Sequence, residues 1–376
     1  MTKPKKKPKN PKFSTGPSAK HQDYKLSNLP TELLSRSNRS VEVTNLVFHT
    51  QKKIYDILEI PKDYKVILTA GSGTAAMEIA LWNLLGSNTI DILAWDNFGY
   101  MWQNDIENEL KLKNVNVFRT DYGAFPNLDK VDFANNDVVF AYLGTASGVF
   151  FNQESLIPKE RKGLIITDAT SHVFTNHVPW DKIDVFTFSW QKALGGEAQH
   201  GTIVLSPKAV ERLKQYTPSW PIPRLFNIRP QAVLEGEAIN TLSTLCLLDF
   251  VDALDHFEKK GGLPYGIKKI NENFQVLQQW VEKSNWVKFL AEDINFTSKV
   301  AVCLKVTNQE FVSKSPDQQK EFINKIHKYL ADNHIAYDIK SYRTGPLGFR
   351  IWAGPTIDKE DLILLTEWLD YCFANL

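Results

Sequence analysis

The stretch LIITDATSHVFTNHVPWDKIDVFTFSWQKALGG, residues 164–196, decides the fold. It holds two short apolar runs, Leu164 to Thr167 and Val185 to Ser189. The first is closed by Asp168, and the second is followed by Trp190-Gln191-Lys192 and then Gly195-Gly196. The first run is apolar without a period of two, as expected of a strand covered on both faces. Working outward, similar runs recur at Lys65 to Thr69, Asp91 to Trp95, Val115 to Arg119, Val138 to Leu143 and Thr202 to Leu205, with helical patterns between them. This alternation predicts an α/β fold built on a seven-stranded, mostly parallel sheet with covering helices.

After Ser206 the pattern changes. A helix is predicted from Lys208 to Tyr216, a proline-rich loop from Pro218 to Pro230, and a long helix from Gln231 to Lys259 stopped by Gly261-Gly262 and Pro264. Beyond that stop come a helix through Lys283, a strand at Val300 to Val306 and a helix at Pro316 to Asn333. Short strands near Ala336 and Phe349 and a terminal helix from Asp358 follow, which together read as a smaller C-terminal α+β domain. The division is therefore a tail at 1–12, a large domain at 13–260 and a small domain at 261–376.

The chain has 376 residues, 43% hydrophobic and 23% charged, which suits two packed globular domains. Its 44 Lys plus Arg against 43 Asp plus Glu leave a net charge of +1, giving no general attraction to nucleic acid or to acidic membranes. The first twelve residues, MTKPKKKPKNPK, are expected to stay extended and mobile, a solvated tail more readily than a nucleic-acid arm. Cys246, Cys303 and Cys372 sit in apolar contexts that suit buried thiols in a reducing compartment. No apolar run is long enough to span a bilayer and no secretory core is evident, so a cytoplasmic location is expected. No metal site is read.

Asp168 and Lys192 both emerge at strand ends, and in an open α/β sheet the ligand crevice lies at the carboxyl ends of the strands. One ligand can meet both. A pyridoxal enzyme needs this pair: a lysine amine to form a Schiff base, and a carboxylate to keep the pyridine nitrogen protonated so that the ring accepts electrons. Taken alone, the aspartate also fits a helix cap or a metal ligand, and the lysine a solvated side chain. The junction Lys65-Val-Ile-Leu-Thr-Ala-Gly71-Ser72-Gly73-Thr74 places backbone N–H groups and hydroxyls at a helix start, which suits a phosphate dianion. It lacks the Gly-Lys-Ser/Thr ending of a P-loop and the full spaced-glycine dinucleotide fingerprint, and a bare tight turn stays open.

From Phe13 onward the chain resembles the phosphoserine aminotransferase family, within the fold type I pyridoxal phosphate enzymes. The matching pieces, in order, are Phe13-Ser-Thr-Gly-Pro-Ser-Ala-Lys20, Ser35-Arg-Ser-Asn-Arg39-Ser40, Gly71-Ser-Gly-Thr74 and Trp102. Gly144-Thr145-Ala-Ser-Gly148, Asp168-Ala-Thr-Ser171, Gln191-Lys192, Ile239-Asn240-Thr241 and Arg350-Ile-Trp352 complete the set. The resemblance implies a fold type I aminotransferase with pyridoxal 5'-phosphate on Lys192 and Asp168 at its ring nitrogen. It further implies Trp102 stacked on the ring, Thr145 at the ring hydroxyl, and Gln191 approaching the phosphate. Ser72, Gly73 and Thr74 would form a phosphate cup, completed by Asn240 and Thr241 of a neighbouring subunit in a homodimer. For substrate, it implies Arg350 at the α-carboxylate and Arg39 at the phosphate or side-chain carboxylate; Arg343 is a second anion contact or a solvated loop residue. Asn38 stands where the family commonly has a histidine, and an amide cannot carry charge.

The implied reaction converts O-phospho-L-serine and 2-oxoglutarate to 3-phosphohydroxypyruvate and L-glutamate in serine biosynthesis, with vitamin B6 biosynthesis as a further use. A serine- or alanine-glyoxylate aminotransferase is the nearest rival. Cysteine desulfurase fits less well, because no cysteine lies in a glycine-rich loop. A nucleic-acid-binding module or a nucleotide-dependent oxidoreductase would give no Schiff base trappable by borohydride.

Overall fold

The computed structural model describes residues Met1–Leu376. All seven predicted runs become strands of one sheet: β1 (Lys65–Ala70), β2 (Ile90–Ala94), β3 (Val115–Arg119), β4 (Asp137–Ala141), β7 (Ile165–Asp168), β8 (Val185–Ser189) and β9 (His200–Leu205). A two-stranded hairpin, β5 (Leu143–Gly144) and β6 (Val149–Phe150), follows β4. The large sheet has the order β1-β9-β8-β7-β4-β2-β3. Its pairs are parallel except those of β9, which runs antiparallel to both β1 and β8. The carboxyl ends of β1, β2, β4, β7 and β8 therefore share one edge.

The unbroken apolar runs have a direct cause. Successive side chains point to opposite faces, and both faces are covered. Ile67, Ile92, Val139, Ile166 and Ile203 enter one core with Ala76, Met77, Ile79 and Ala80 of the helix α2. Their neighbours Leu68, Leu93, Phe140, Ile165 and Val204 enter another. Only edge strand β3 is largely exposed.

The helices in chain order are α1 (Val41–Ile57), α2 (Ser72–Leu84), α3 (Asn97–Asn104), α4 (Pro207–Gln215), α5 (Gln231–Leu234), α6 (Thr244–Lys259), α7 (Gly262–Lys283), α8 (Gln309–Val312), α9 (Pro316–Asp332) and α10 (Lys359–Asn375). A small antiparallel sheet has the order β10 (Val287–Phe289), β11 (Ala301–Val306), β12 (Gly348–Trp352). Val302, Leu304, Phe349 and Ile351 of this sheet continue the same core as the second face of the large sheet. No helix is long and apolar enough to cross a membrane.

Three expectations are corrected. The helix expected from Gln231 to Lys259 is broken: α5 ends at Leu234, Gly236 takes a left-handed φ of +105°, and Ser243 caps a new helix through its side chain. The stop after Lys259 holds: Gly261, at a left-handed φ of +115°, ends α6 and turns the chain into α7, with Pro264 in the first turn of α7, where its missing N–H leaves no bond unmade. The basic tail is docked, not free. Backbone groups hold it: Lys9 and Asn10 N–H donate to the Asp361 carboxylate at 2.6 and 3.0 Å, Trp368 Nε1 donates to Lys6 O at 2.8 Å, and Tyr337 N–H donates to Pro11 O at 2.8 Å. Near Ala336 only isolated bridges form, at Tyr337 and Lys340.

Candidate active site

Lys192 leaves the end of β8 on a turn fixed by Trp190, whose indole stacks on Phe250 of α6 with centroids 4.1 Å apart. Its Nζ donates to Ser171 Oγ at 2.6 Å and to Thr145 Oγ1 at 3.0 Å. The N-terminal segment closes over the stem, with Ser18 N–H on Gln191 O at 2.8 Å. Gly16 lies against it, and a Cβ there would sit 3.2 Å from Lys192 Cε. Burial pushes the Lys192 amine down to about 8, helped by Arg350 and opposed by Asp168 and Asp96. Such a group holds a useful unprotonated fraction near neutral pH.

Asp168 ends β7, buried, with Oδ1 accepting the Thr170 N–H at 3.0 Å and the Thr170 hydroxyl at 2.7 Å. Burial raises its pKa, while the Thr170 hydrogen bonds and the Lys192 charge pull it back. The indole N–H of Trp102 faces this carboxylate from the buried side and lowers its pKa without closing a well-formed hydrogen bond.

Opposite them, β1 passes through Gly71 (φ +98°) and Ser72 (φ +64°) into α2. Gln199 O takes the N–H of both, at 2.9 and 3.2 Å, and the next residues, Gly73 and Thr74, line the crevice at the start of α2. Gly73 is needed there, because a Cβ would lie 2.5 Å from Thr170 Oγ1. The cavity between them, about 170 Å³, is lined by Ser72, Gly73, Thr74, Thr145, Asp168 and Lys192, among others. Gln191 and Arg350 also line it, and Gln191 Oε1, Ser189 Oγ and Arg350 Nε reach no partner within the protein. Arg350 comes from β12, opposite Cys303, with its guanidinium 5.3 Å from the Tyr342 ring centre.

No family model matches the chain. It is, however, 43% identical over 376 residues to the phosphoserine aminotransferase of Methanosarcina mazei, covering 99% of each chain. The chain belongs to the phosphoserine aminotransferase family. Among solved structures it resembles a phosphoserine aminotransferase from Cytophaga hutchinsonii, with a TM-score of 0.80 and 19% identity over 96% of this chain and 99% of that one. It also resembles the PLP-bound phosphoserine aminotransferase of Trichomonas vaginalis, with a TM-score of 0.77 and 15% identity over 96% and 100%. At these identities the likeness carries the fold alone, the fold type I aminotransferase architecture.

Of the residues singled out from the family pattern, Ser72, Gly73, Thr74, Thr145, Asp168, Gln191, Lys192 and Arg350 converge on one cavity. Trp102 lies apart from them. It is fully buried in the core beneath α2 and lines no part of the cavity. Phe98, one turn earlier on α3, lines it instead, with Lys192 Nζ 5.5 Å from its ring centre. The helix N-cap decides this: Asp96 accepts from Phe98 and Gly99 N–H at 3.0 and 3.4 Å, and from Ala146 N–H at 2.9 Å, so α3 starts beside the Thr145 turn and turns position 98 inward. Arg39, Asn240, Thr241 and Arg343 are exposed and lie outside this cavity. Ser171, Thr170, Ser189, Phe98 and Tyr342 join the site without having been assigned a role from sequence. Ser171 had a signal, its place in the Asp168-Ala-Thr-Ser171 match; Phe98 had none that separated it from a core aromatic.

Proposed function

We propose that the protein is a pyridoxal 5'-phosphate-dependent phosphoserine transaminase, interconverting O-phospho-L-serine plus 2-oxoglutarate with 3-phosphohydroxypyruvate plus L-glutamate. The observation that carries the reading is the meeting of the Lys192 amine, the Asp168 carboxylate and the N-terminus of α2 around one cavity. The unpaired polar atoms of Ser189, Gln191 and Arg350, and the space kept open at Gly73, suit an anionic, hydrogen-bonding cofactor.

When bound, the cofactor supplies a ring that takes up the electron pair left as the Cα–H bond breaks. Lys192 is the group that holds it and then moves the proton between substrate Cα and the cofactor's C4' carbon. Thr145 and Ser171 aim that amine. Asp168 keeps the ring nitrogen protonated. The first turn of α2, with Gln191, receives the phosphate, and Arg350 grips the substrate α-carboxylate through paired hydrogen bonds. Arg39 and Arg343 receive the distal phosphate or carboxylate. In this reading Asn240, Thr241 and Arg39 serve the neighbouring subunit of a cytoplasmic homodimer, and residues 261–376 act as the small domain that brings Arg350 to the large one.

The test is side-by-side kinetics with 3-phosphohydroxypyruvate, glyoxylate and oxaloacetate as amino acceptors. 3-Phosphohydroxypyruvate should have the highest kcat/KM. If glyoxylate were much the best, the substrate assignment would fall while the cofactor assignment stood.

A further inference from the structure

His200 opens β9 fully buried, paired with Ala70 at the end of β1. Its Nε2 accepts the backbone N–H of Ser243 at 2.9 Å, which fixes Nε2 as the unprotonated nitrogen. The ring leans on Trp190, with centroids 5.2 Å apart, in the same turn that presents Lys192. Ser243 in turn caps α6, its Oγ accepting the Cys246 N–H at 3.4 Å. The bond to His200 thus pins the point where the loop after α5 rejoins a helix. The other end of that loop is pinned by a second buried side chain: Gln51 Nε2 donates to Gly236 O at 3.0 Å and to Val66 O at 3.1 Å. Between the two anchors, Asn240 and Thr241 stand exposed.

Gln199, the residue before His200, holds the Gly71–Ser72 turn of its own chain through its carbonyl. Two consecutive residues thus support two different elements. We infer that His200 is a positioning residue for the neighbouring subunit's site, holding the Asn240–Thr241 loop through Ser243 while Gln199 holds the phosphate turn of its own subunit. The inference rests on the shared-site reading above. The Ser243 N–H is part-buried, and without its acceptor it can turn to water, so losing the ring nitrogen should release the loop and leave the fold standing.

His200→Phe keeps the ring's shape against Trp190 but removes the acceptor, whereas His200→Gln can place an oxygen where Nε2 stood. In the holoenzyme, His200→Phe should retain cofactor about tenfold more weakly, and the amides from Gly236 to Ser243 should exchange hydrogen faster. His200→Gln should recover most of both losses. Ser243→Pro removes the donor at a φ of -75° that proline accepts, and should reproduce the His200→Phe defect should that variant fold poorly. The deciding measurement uses heterodimers isolated through two affinity tags. Pairing Lys192→Ala with His200→Phe leaves one site with both an intact lysine and an intact neighbouring loop, so activity should return to about half that of the native dimer. An inactive pair, beside an active control pair of Lys192→Ala with the double variant Asn240→Ala/Thr241→Ala, would overturn the role of His200 and leave the shared site intact. Two inactive pairs would overturn the shared site, and the role of His200 with it.

Discussion

The Nζ of Lys192 lies 2.6 Å from the Oγ of Ser171, and Ser171 Oγ is itself hydrogen-bonded to Thr145 Oγ1. The two hydroxyls form a cradle that aims the amine into the cavity. Replacing Ser171 with Ala removes one arm of it. Steady-state kinetics should show kcat down by about tenfold, the effect of one buried hydrogen bond on a barrier, with KM for the amino acceptor nearly unchanged. A rise in KM with kcat intact would assign Ser171 to substrate binding.

Phe98 and Trp102 share α3 but have opposite surroundings, one lining the cavity and the other sealed in the core. Phe98→Leu should weaken cofactor retention by about tenfold, through loss of the flat ring, with little change in Tm. Trp102→Phe should do the reverse: unfolding measurements should show a loss of about 1–2 kcal/mol from the void left in the core, with cofactor retention largely preserved. The opposite pattern would return the ring-facing role to the indole.

Burial holds the Lys192 amine at about 8, below its usual 10.5. Only the unprotonated amine can add to the cofactor's aldehyde. The rate at which apoenzyme captures added cofactor, followed by visible absorption, should therefore rise with pH and level off just above pH 8. A rate still climbing past pH 10 would mean that the amine keeps its ordinary basicity.

Asp361 takes the N–H groups of both Lys9 and Asn10. Asp361→Ala should loosen the tail, so trypsin should cut after Lys5, Lys6 or Lys9 faster than in the native protein, at unchanged kcat. Equal cleavage rates would show that these two bonds do not hold the segment.

The sheet was legible in the sequence because its cause is local. A strand covered on both faces tends to be apolar along its length, and all seven runs read as strands formed strands, with ends shifted by a residue or two; only the edge strand β3 is exposed. Asp168, Lys192 and the 71–74 turn were legible for the same reason, since a strand's carboxyl end fixes where the next residue emerges. The break at Gly236 was not, because helical periodicity continues across it; what breaks the helix is the seat that Gln51, far away in sequence, provides for that turn. The tail misled for a related reason. Its lysines announce solvent, yet its backbone N–H and C=O groups find partners on α10 and at Tyr337.

The sequence by itself determined the α/β architecture, the edge of the sheet that carries chemistry, and the lysine and carboxylate placed there. Only the tertiary structure decided which aromatic faces the cavity, which hydroxyls aim the amine, and which buried histidine holds a distant loop. Those choices depend on how α3 is capped by Asp96 and on how β9 lies between β1 and β8. They are contacts between residues far apart in the chain, and no local pattern encodes them.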